Sequence, residues 1–342
     1  MRFTQRAVCL TAVAITSLAP IATAAAASAS LAPGTAHGAN GCVAVIATIP
    51  VGNGPGGIAV DRTTGTIYVA NDGSNTVSVI SARTGTVTAT IPVGRSPQGV
   101  AVDARTDTIY VASRLGAAVS VISGQTNTVT ATVGVGVEPF GVAVDRNTDT
   151  IYVANYGSST VAVINGRTNT VTANVPVGAQ SGTVAVDPKT DTIYVPYFGG
   201  GMVFVIDGRT NTVTAKIPVG AGPRGIAVDP RTDAIYVANG DDDTVSVISG
   251  QTHTVTATVP VGNGPVAVVV DPSTHTIYVT NNGSTPFPSR TVSVISGRTS
   301  TVTATITVGR DPEAVAAYPK THTAYVADKG AGTVSVLGPC PG

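Results

Sequence analysis

Few side chains in this 342-residue sequence could do catalytic chemistry, and their spacing argues against most of it. The histidines are His37, His253, His275 and His322. Nucleophilic catalysis needs a base within hydrogen-bond reach of a hydroxyl or thiol, and metal catalysis needs ligands grouped at coordination spacing. The last three histidines fall at turn positions of separate segments, where sister segments carry Asp, Asn or Ser. There is no G-x-S-x-G elbow and no H-E-x-x-H pair. Asp241, Asp242 and Asp243 form a compact acidic run. Calcium loops space their ligands at alternate positions around a Gly hinge, so consecutive Asp reads as a solvated turn. No catalytic residue, cofactor or metal is expected.

Binding chemistry is better represented. Phe140, Tyr156, Tyr197, Phe198 and Phe287 sit in irregular segments, where flat rigid rings can meet sugar rings or peptide side chains. Local packing under loops is the alternative. Gly199, Gly200 and Gly201, beside Phe198, would let a partner approach the backbone. Arg224 and Glu313 are candidates for an ion pair or for holding a small polar ligand, against incidental lining of a water-filled space.

The elements that place these residues come from a repeat. Gly57–Asp61 (GIAVD) recurs at Gly99–Asp103, Gly141–Asp145, Thr183–Asp187, Gly225–Asp229 and Ala267–Asp271, each 42 residues on, and a degenerate copy, Ala314–Tyr318, follows after 47. A period near 40 residues means stacked units that cannot bury their apolar faces alone. Within one unit, Gly99–Asp103, Thr108–Ala112, Val119–Ser123 and Thr128–Val133 are short β-branched runs separated by turn residues. Each unit is therefore expected to be a four-stranded antiparallel meander, and the whole an all-β, seven-bladed β-propeller with no helix.

The ends fit one ring. Val43–Gly52 matches a fourth strand and Thr333–Gly338 a third, so the N-terminal strand is expected to complete the last blade. Closure would remove free sheet edges. Cys42 and Cys340 fall within one turn of the aligned unit and are expected to form a disulfide, free thiols being the alternative. The loop entering each first strand and the loop joining second to third strands share one face. The residues just before the first strands (Gly56, Gln98, Phe140, Gly182, Arg224, Val266 and Glu313) should ring the channel mouth there. The insertion at Asn282–Arg290 lies on that face too. The opposite face repeats D-x-x-T-x-T and G-x-T-x-T turns. Its Arg62, Arg83, Arg105, Arg146, Arg167, Lys189, Arg209, Arg231, Arg298 and Lys320 suggest a basic ring, but interleaved Asp107, Asp149, Asp191, Asp207 and Asp233 favour solvated turn charges.

Composition narrows the class. Formal net charge is zero, and only 11% of residues are charged. Nucleic acid, which demands a basic stripe, is excluded as a partner. Arg2 and Arg6, the apolar stretch from Ala7 to Pro20 and the small residues Ala22–Ser30 read as a signal peptide. The expected organisation is a signal peptide at 1–30, a flexible tail at 31–41 and the propeller at 42–342. The product would be secreted or extracellular, released or held at the cell wall, with no membrane span and monomeric.

The units resemble the YVTN family of β-propeller repeats. The signature stands at Tyr278-Val279-Thr280-Asn281, with variants at Tyr68–Asn71, Tyr152–Asn155 and Tyr236–Asn239 and weaker copies at Tyr110–Ser113, Tyr194–Tyr197 and Tyr325–Asp328. The resemblance implies exported propellers that act as binding or adhesion modules without a common catalytic site. Blade architecture is also similar to that of streptogramin lyases and propeller lactonases. The lyase likeness implies a catalytic His on the channel face, which this sequence lacks. The lactonase likeness implies a metal at the channel mouth, for which only Glu313 and Gln98 are candidates. The expected protein binds an extracellular glycan, protein or peptide through Phe140, Tyr156, Tyr197, Phe198, Arg224, Phe287 and Glu313. A lactonase-like or lyase-like enzyme and a structural surface-layer element are the alternatives.

Overall fold

The computed structural model describes residues 42–284 and 287–340. The leader and tail expected at 1–41 lie outside them. The described residues form seven four-stranded antiparallel sheets, nearly all β. Contacts between successive first strands run around the whole set and return from the last to the first, so the ring is closed. In blade one the strands are Pro55–Asp61, Thr66–Asn71, Thr76–Ser81 and Thr86–Pro92. In the last blade Val43–Pro50 pairs with Thr333–Pro339, as fourth strand to third.

The borrowed strand copies the others in detail. Every third–fourth strand pair carries one β-bulge at an equivalent place, Val79/Ile80 in blade one and Val45/Ala47 at the closure. The bulged residue in blade one, Thr88, donates its hydroxyl to the Val79 carbonyl oxygen at 3.2 Å. At the closure Ile46 takes its place and its side chain lies over Gly338. Cys42 and Cys340 form a disulfide with Cα atoms 5.5 Å apart, which ties the closing strands together.

The core is a ring of seven apolar layers between neighbouring blades. Strand alternation sends the repeated Tyr, Val and Ile of the second and third strands into them. Tyr68, Tyr110, Tyr152, Tyr194 and Tyr325 are at most 2% exposed, and each such ring contributes about 1.5–3 kcal/mol through burial. Burial also pushes the phenols of Tyr68, Tyr110, Tyr194 and Tyr278 up to about 12.

Near the axis the first strands crowd together, which accounts for the repeated glycine. A Cβ on Gly57 would sit 1.8 Å from the Gln98 carbonyl oxygen, and one on Gly99 2.4 Å from that of Phe140. Gly57→Ala should therefore cost about 1–3 kcal/mol of stability by overpacking. Chemical denaturation would show it as a lower midpoint at unchanged slope. The first strand of blade four is short, Ala185–Asp187, and there Thr183 donates its hydroxyl to the Arg224 carbonyl oxygen. Two three-residue 3₁₀ turns, Arg114–Gly116 and Phe198–Gly200, are the helical structure that the sequence patterns did not anticipate.

The monotonous face is built from Asx turns. The carboxylate of Asp61 accepts the Thr63 N–H at 2.7 Å, and Asp103, Asp145, Asp187, Asp229 and Asp271 repeat the bond. The interleaved acids do not simply neutralise the arginines. Asp149 does so, lying 3.5 Å from Arg105 and 3.6 Å from Arg167. Asp107, Asp191 and Asp233 instead feel a buried carboxylate of the preceding blade, Asp61, Asp145 and Asp187 respectively. Burial, then that like charge, raises all three above the usual carboxylate range.

Candidate functional site

A cavity of about 650 Å³ opens at the channel mouth on the variable face. Two rings of positions line it. The inner ring is Gly56, Gln98, Phe140, Gly182, Arg224, Val266 and Glu313, expected just before the first strands; in every blade but the fourth it is instead the second residue of that strand. The outer ring is the residue following each second strand, supplied by Asp72, Arg114, Tyr156, Phe198 and Lys329. The scaffold repeats up to these positions and then stops repeating. A different side chain stands at the outer position in every blade: Asp72, Arg114, Tyr156, Phe198, Gly240, Asn282 and Lys329.

Blades three to five carry the aromatic wall. Phe140 and Tyr156 flank Gly182, where a Cβ would lie 3.6 Å from the Tyr156 ring and 3.8 Å from that of Phe140. The Arg224 guanidinium stacks on Phe198, its Cζ 4.8 Å from the ring centroid. Gly240 makes this possible, since a Cβ there would come 2.8 Å from Arg224 Nε. Across the mouth, Glu313 Oε2 accepts a hydrogen bond from Asn282 Nδ2 at 3.1 Å. Arg224 and Glu313 do not form the ion pair considered from sequence, and neither lies within 4.0 Å of an opposite charge among the described residues. Other rim charges are tied down. Arg114 meets Glu138 at 3.0 Å and Lys329 meets Asp72 at 3.6 Å.

Tyr197 is not part of this wall. It occupies the fourth position of the YVxN motif, which points at the third strand of its own blade. In blade one that position is Asn71, whose Nδ2 donates to Thr76 at 3.1 Å and Ser78 at 2.9 Å. Blade four has Met202 and Phe204 instead, so a ring replaces the amide, and Tyr197 packs 5.9 Å from the Phe204 centroid. Gly200 serves that packing, because a Cβ there would sit 2.2 Å from the Tyr197 ring, while Gly201 takes a left-handed φ of 57°. The insertion extends the second and third strands of blade six into a hairpin in which Ser284 pairs with Phe287. The Phe287 side chain lies outside the described residues.

The acidic run closes turns. Asp242 accepts the Ala221 N–H and Asp243 the Gly264 N–H, both at 2.7 Å, as Ser74 accepts the Asn53 N–H in blade one. Among the described residues no three His, Cys, Asp or Glu side chains converge as a metal-ligand set. His275 does have a partner, Asp229 at 2.9 Å. His322, expected to stand apart from nucleophiles, lies 3.4 Å from both Ser273 Oγ and Asp271 Oδ2. Both meet the same ring nitrogen, Nδ1, and Ser273 donates to Asp271 at 2.6 Å, unlike a Ser-His-Asp triad, in which the two partners sit on opposite ring nitrogens. Burial alone would raise Asp271, but hydrogen bonds from Ser273 and His322 prevail and hold it below the usual carboxylate range.

Fold and site together define a closed seven-bladed β-propeller with a chemically mixed cavity at one channel mouth. The chain belongs to the seven-bladed β-propeller lactonase family, whose model matches residues 83–338. It is similar in fold to a solved chain of Kuenenia stuttgartiensis hydrazine synthase: 20% identity, TM-score 0.74, covering 83% of this chain and 95% of that one. That likeness speaks for architecture alone. No curated protein matches the sequence.

Proposed function

We propose that the protein is an exported binding module, of the YVTN type suggested by its repeats, that takes an extracellular glycan, protein or peptide into the channel-mouth cavity. The observation that carries this reading is the convergence of Phe140, Tyr156, Phe198, Arg224 and Glu313 on one open cavity of about 650 Å³. Half-buried rings supply stacking area. Arg224, preorganised on Phe198, offers N–H groups to an anionic or carbonyl oxygen, and Glu313 accepts from hydroxyls or amines. Export is supported by the leader pattern and by the Cys42–Cys340 bond, which persists in oxidising compartments. Among the described residues no helix is long and apolar enough to cross a membrane.

The test is a screen of glycan and peptide arrays, followed by titration of the best binder. Phe140→Ala with Tyr156→Ala should weaken binding about 30-fold or more, the loss expected of a central aromatic anchor. The melting temperature should stay put, because neither ring belongs to the inter-blade core. Unchanged affinity would remove the cavity from consideration. The family match favours a second reading, lactone hydrolysis, with Glu313 as the base that activates water. Turnover of a simple lactone that is abolished by Glu313→Gln would replace the first reading.

A further inference from the structure

The other mouth of the channel has its own chemistry. A cavity of about 320 Å³ opens there, walled by valines, alanines and prolines at the ends of the first strands. Its only charged lining residues are Arg62 and Arg146. Both stand at the position directly after a first strand. Sister blades place Ala104, Pro188, Pro230 and Pro272 there, all of which line the same cavity without a hydrogen-bonding side chain. The two arginines thus interrupt an apolar collar. They differ from the turn arginines beside them, such as Arg105, which is already bound to Asp103 and Asp149.

Neither guanidinium has a hydrogen bond or ion pair among the described residues. Both line the one cavity. Burial first, and the Arg146 charge second, lower the Arg62 guanidinium from its usual value, against a weaker pull from Asp271. Asp271 is itself occupied by Ser273 and His322. Arg62 is partly buried and Arg146 exposed, so the charge left without a counter-charge at this apolar mouth is unfavourable chiefly at Arg62.

We propose that Arg62 and Arg146 form an oxyanion site that holds inorganic phosphate or sulfate, or the terminal phosphate of a larger molecule. The arginines come from blades one and three, with blade two between them, so they approach from two sides. A tetrahedral dianion offers acceptors on both sides and cancels both charges. A carboxylate presents one bidentate edge and one charge.

Calorimetric titration and thermal melts at fixed ionic strength test this, with sodium chloride replaced by phosphate, sulfate, methyl phosphate or acetate. Wild-type protein should show saturable binding of phosphate and sulfate and a matching rise in melting temperature. Arg62→Ala and Arg146→Ala should each weaken binding by about tenfold or more, as expected on losing a charged hydrogen-bonding group, and the double variant should abolish it. Ala104 occupies the equivalent position in blade two, so these variants should fold, and their melting temperatures in chloride should not fall. Arg62→Gln, which keeps the side-chain length, should lose binding as well. Binding of methyl phosphate as tightly as inorganic phosphate would assign the site to a terminal phosphate; preference for the inorganic ion would assign it to the free anion. Equal effects of all salts, equal binding of acetate, or undiminished phosphate binding by the double variant would overturn the proposal. Phe140→Ala should leave phosphate binding unchanged, so this site stands or falls apart from the opposite cavity.

Discussion

Cys42→Ser, or reduction of the Cys42–Cys340 bond, should lower the free energy of unfolding by about 5 kcal/mol. The bond closes a loop with a sequence separation of 298 residues. In the chain-entropy account such a cross-link removes a large part of the unfolded chain's freedom, and the loss grows with the logarithm of loop length. For a domain of this size the melting temperature should fall by roughly 8 °C. Scanning calorimetry with and without reductant, set beside the Cys42→Ser/Cys340→Ser double variant, separates loss of the bond from any effect of one free thiol. A change below roughly 0.5 kcal/mol, the scale of an ordinary surface substitution, would show that strand pairing alone holds the ring shut.

Asp328→Asn should act in the opposite direction. Asp328 is the blade-seven counterpart of Asn71, fully buried, and accepts from Ser335 at 2.7 Å and Thr333 at 3.2 Å. Burial pushes its carboxyl up to about 6, even though these hydrogen bonds pull the other way. The folded-state value thus lies above the ordinary Asp value near 4. The folded protein holds this proton more tightly than the unfolded chain does. The stability it contributes is complete below pH 4 and is lost as pH rises through 6. A shift of about 2 units corresponds to about 3 kcal/mol. An amide carries no charge to bury and can donate to both hydroxyls, as Asn71 does in blade one. Denaturation at pH 7.5 should show Asp328→Asn more stable by up to about 3 kcal/mol, and at pH 4 the two proteins should coincide. A variant equally or less stable at both pH values would mean that the carboxylate is better solvated than its burial implies.

Much of the architecture could be read before any coordinates. The 42-residue recurrence of GIAVD, the strand pattern TIYVA and the match of Val43–Gly52 to a fourth strand require seven sheets and a borrowed edge. The inner ring of the cavity was legible for the same reason. A fixed register carries Gln98, Phe140, Arg224 and Glu313 to equivalent places, so their differences stand out. The outer ring was read only through its aromatics, although Asp72, Arg114 and Lys329 occupy the same register as Tyr156 and Phe198. Tyr197 packs on Phe204 and does not line the cavity. It stands where its sisters have Asn, and the exchange of hydroxyls for Met202 and Phe204 on the facing strand was the available signal. The stacking of Arg224 on Phe198 and the paired aspartates between blades depend on how adjacent blades approach, which no single repeat contains.

The shared last sheet also sets an order of events during biogenesis. As the polypeptide is made, Val43–Pro50 emerges before any of the units whose edge it must join, yet its partner Thr333–Pro339 is the last of the described strands. Six sheets can form while this leading segment waits without a strand partner, its backbone donors and acceptors bonded only to water. Assembly of the seventh is then a contact between the two ends of the chain, the slowest kind to find by diffusion. Until that meeting occurs, the early strand is an adhesive edge that a neighbouring molecule could capture.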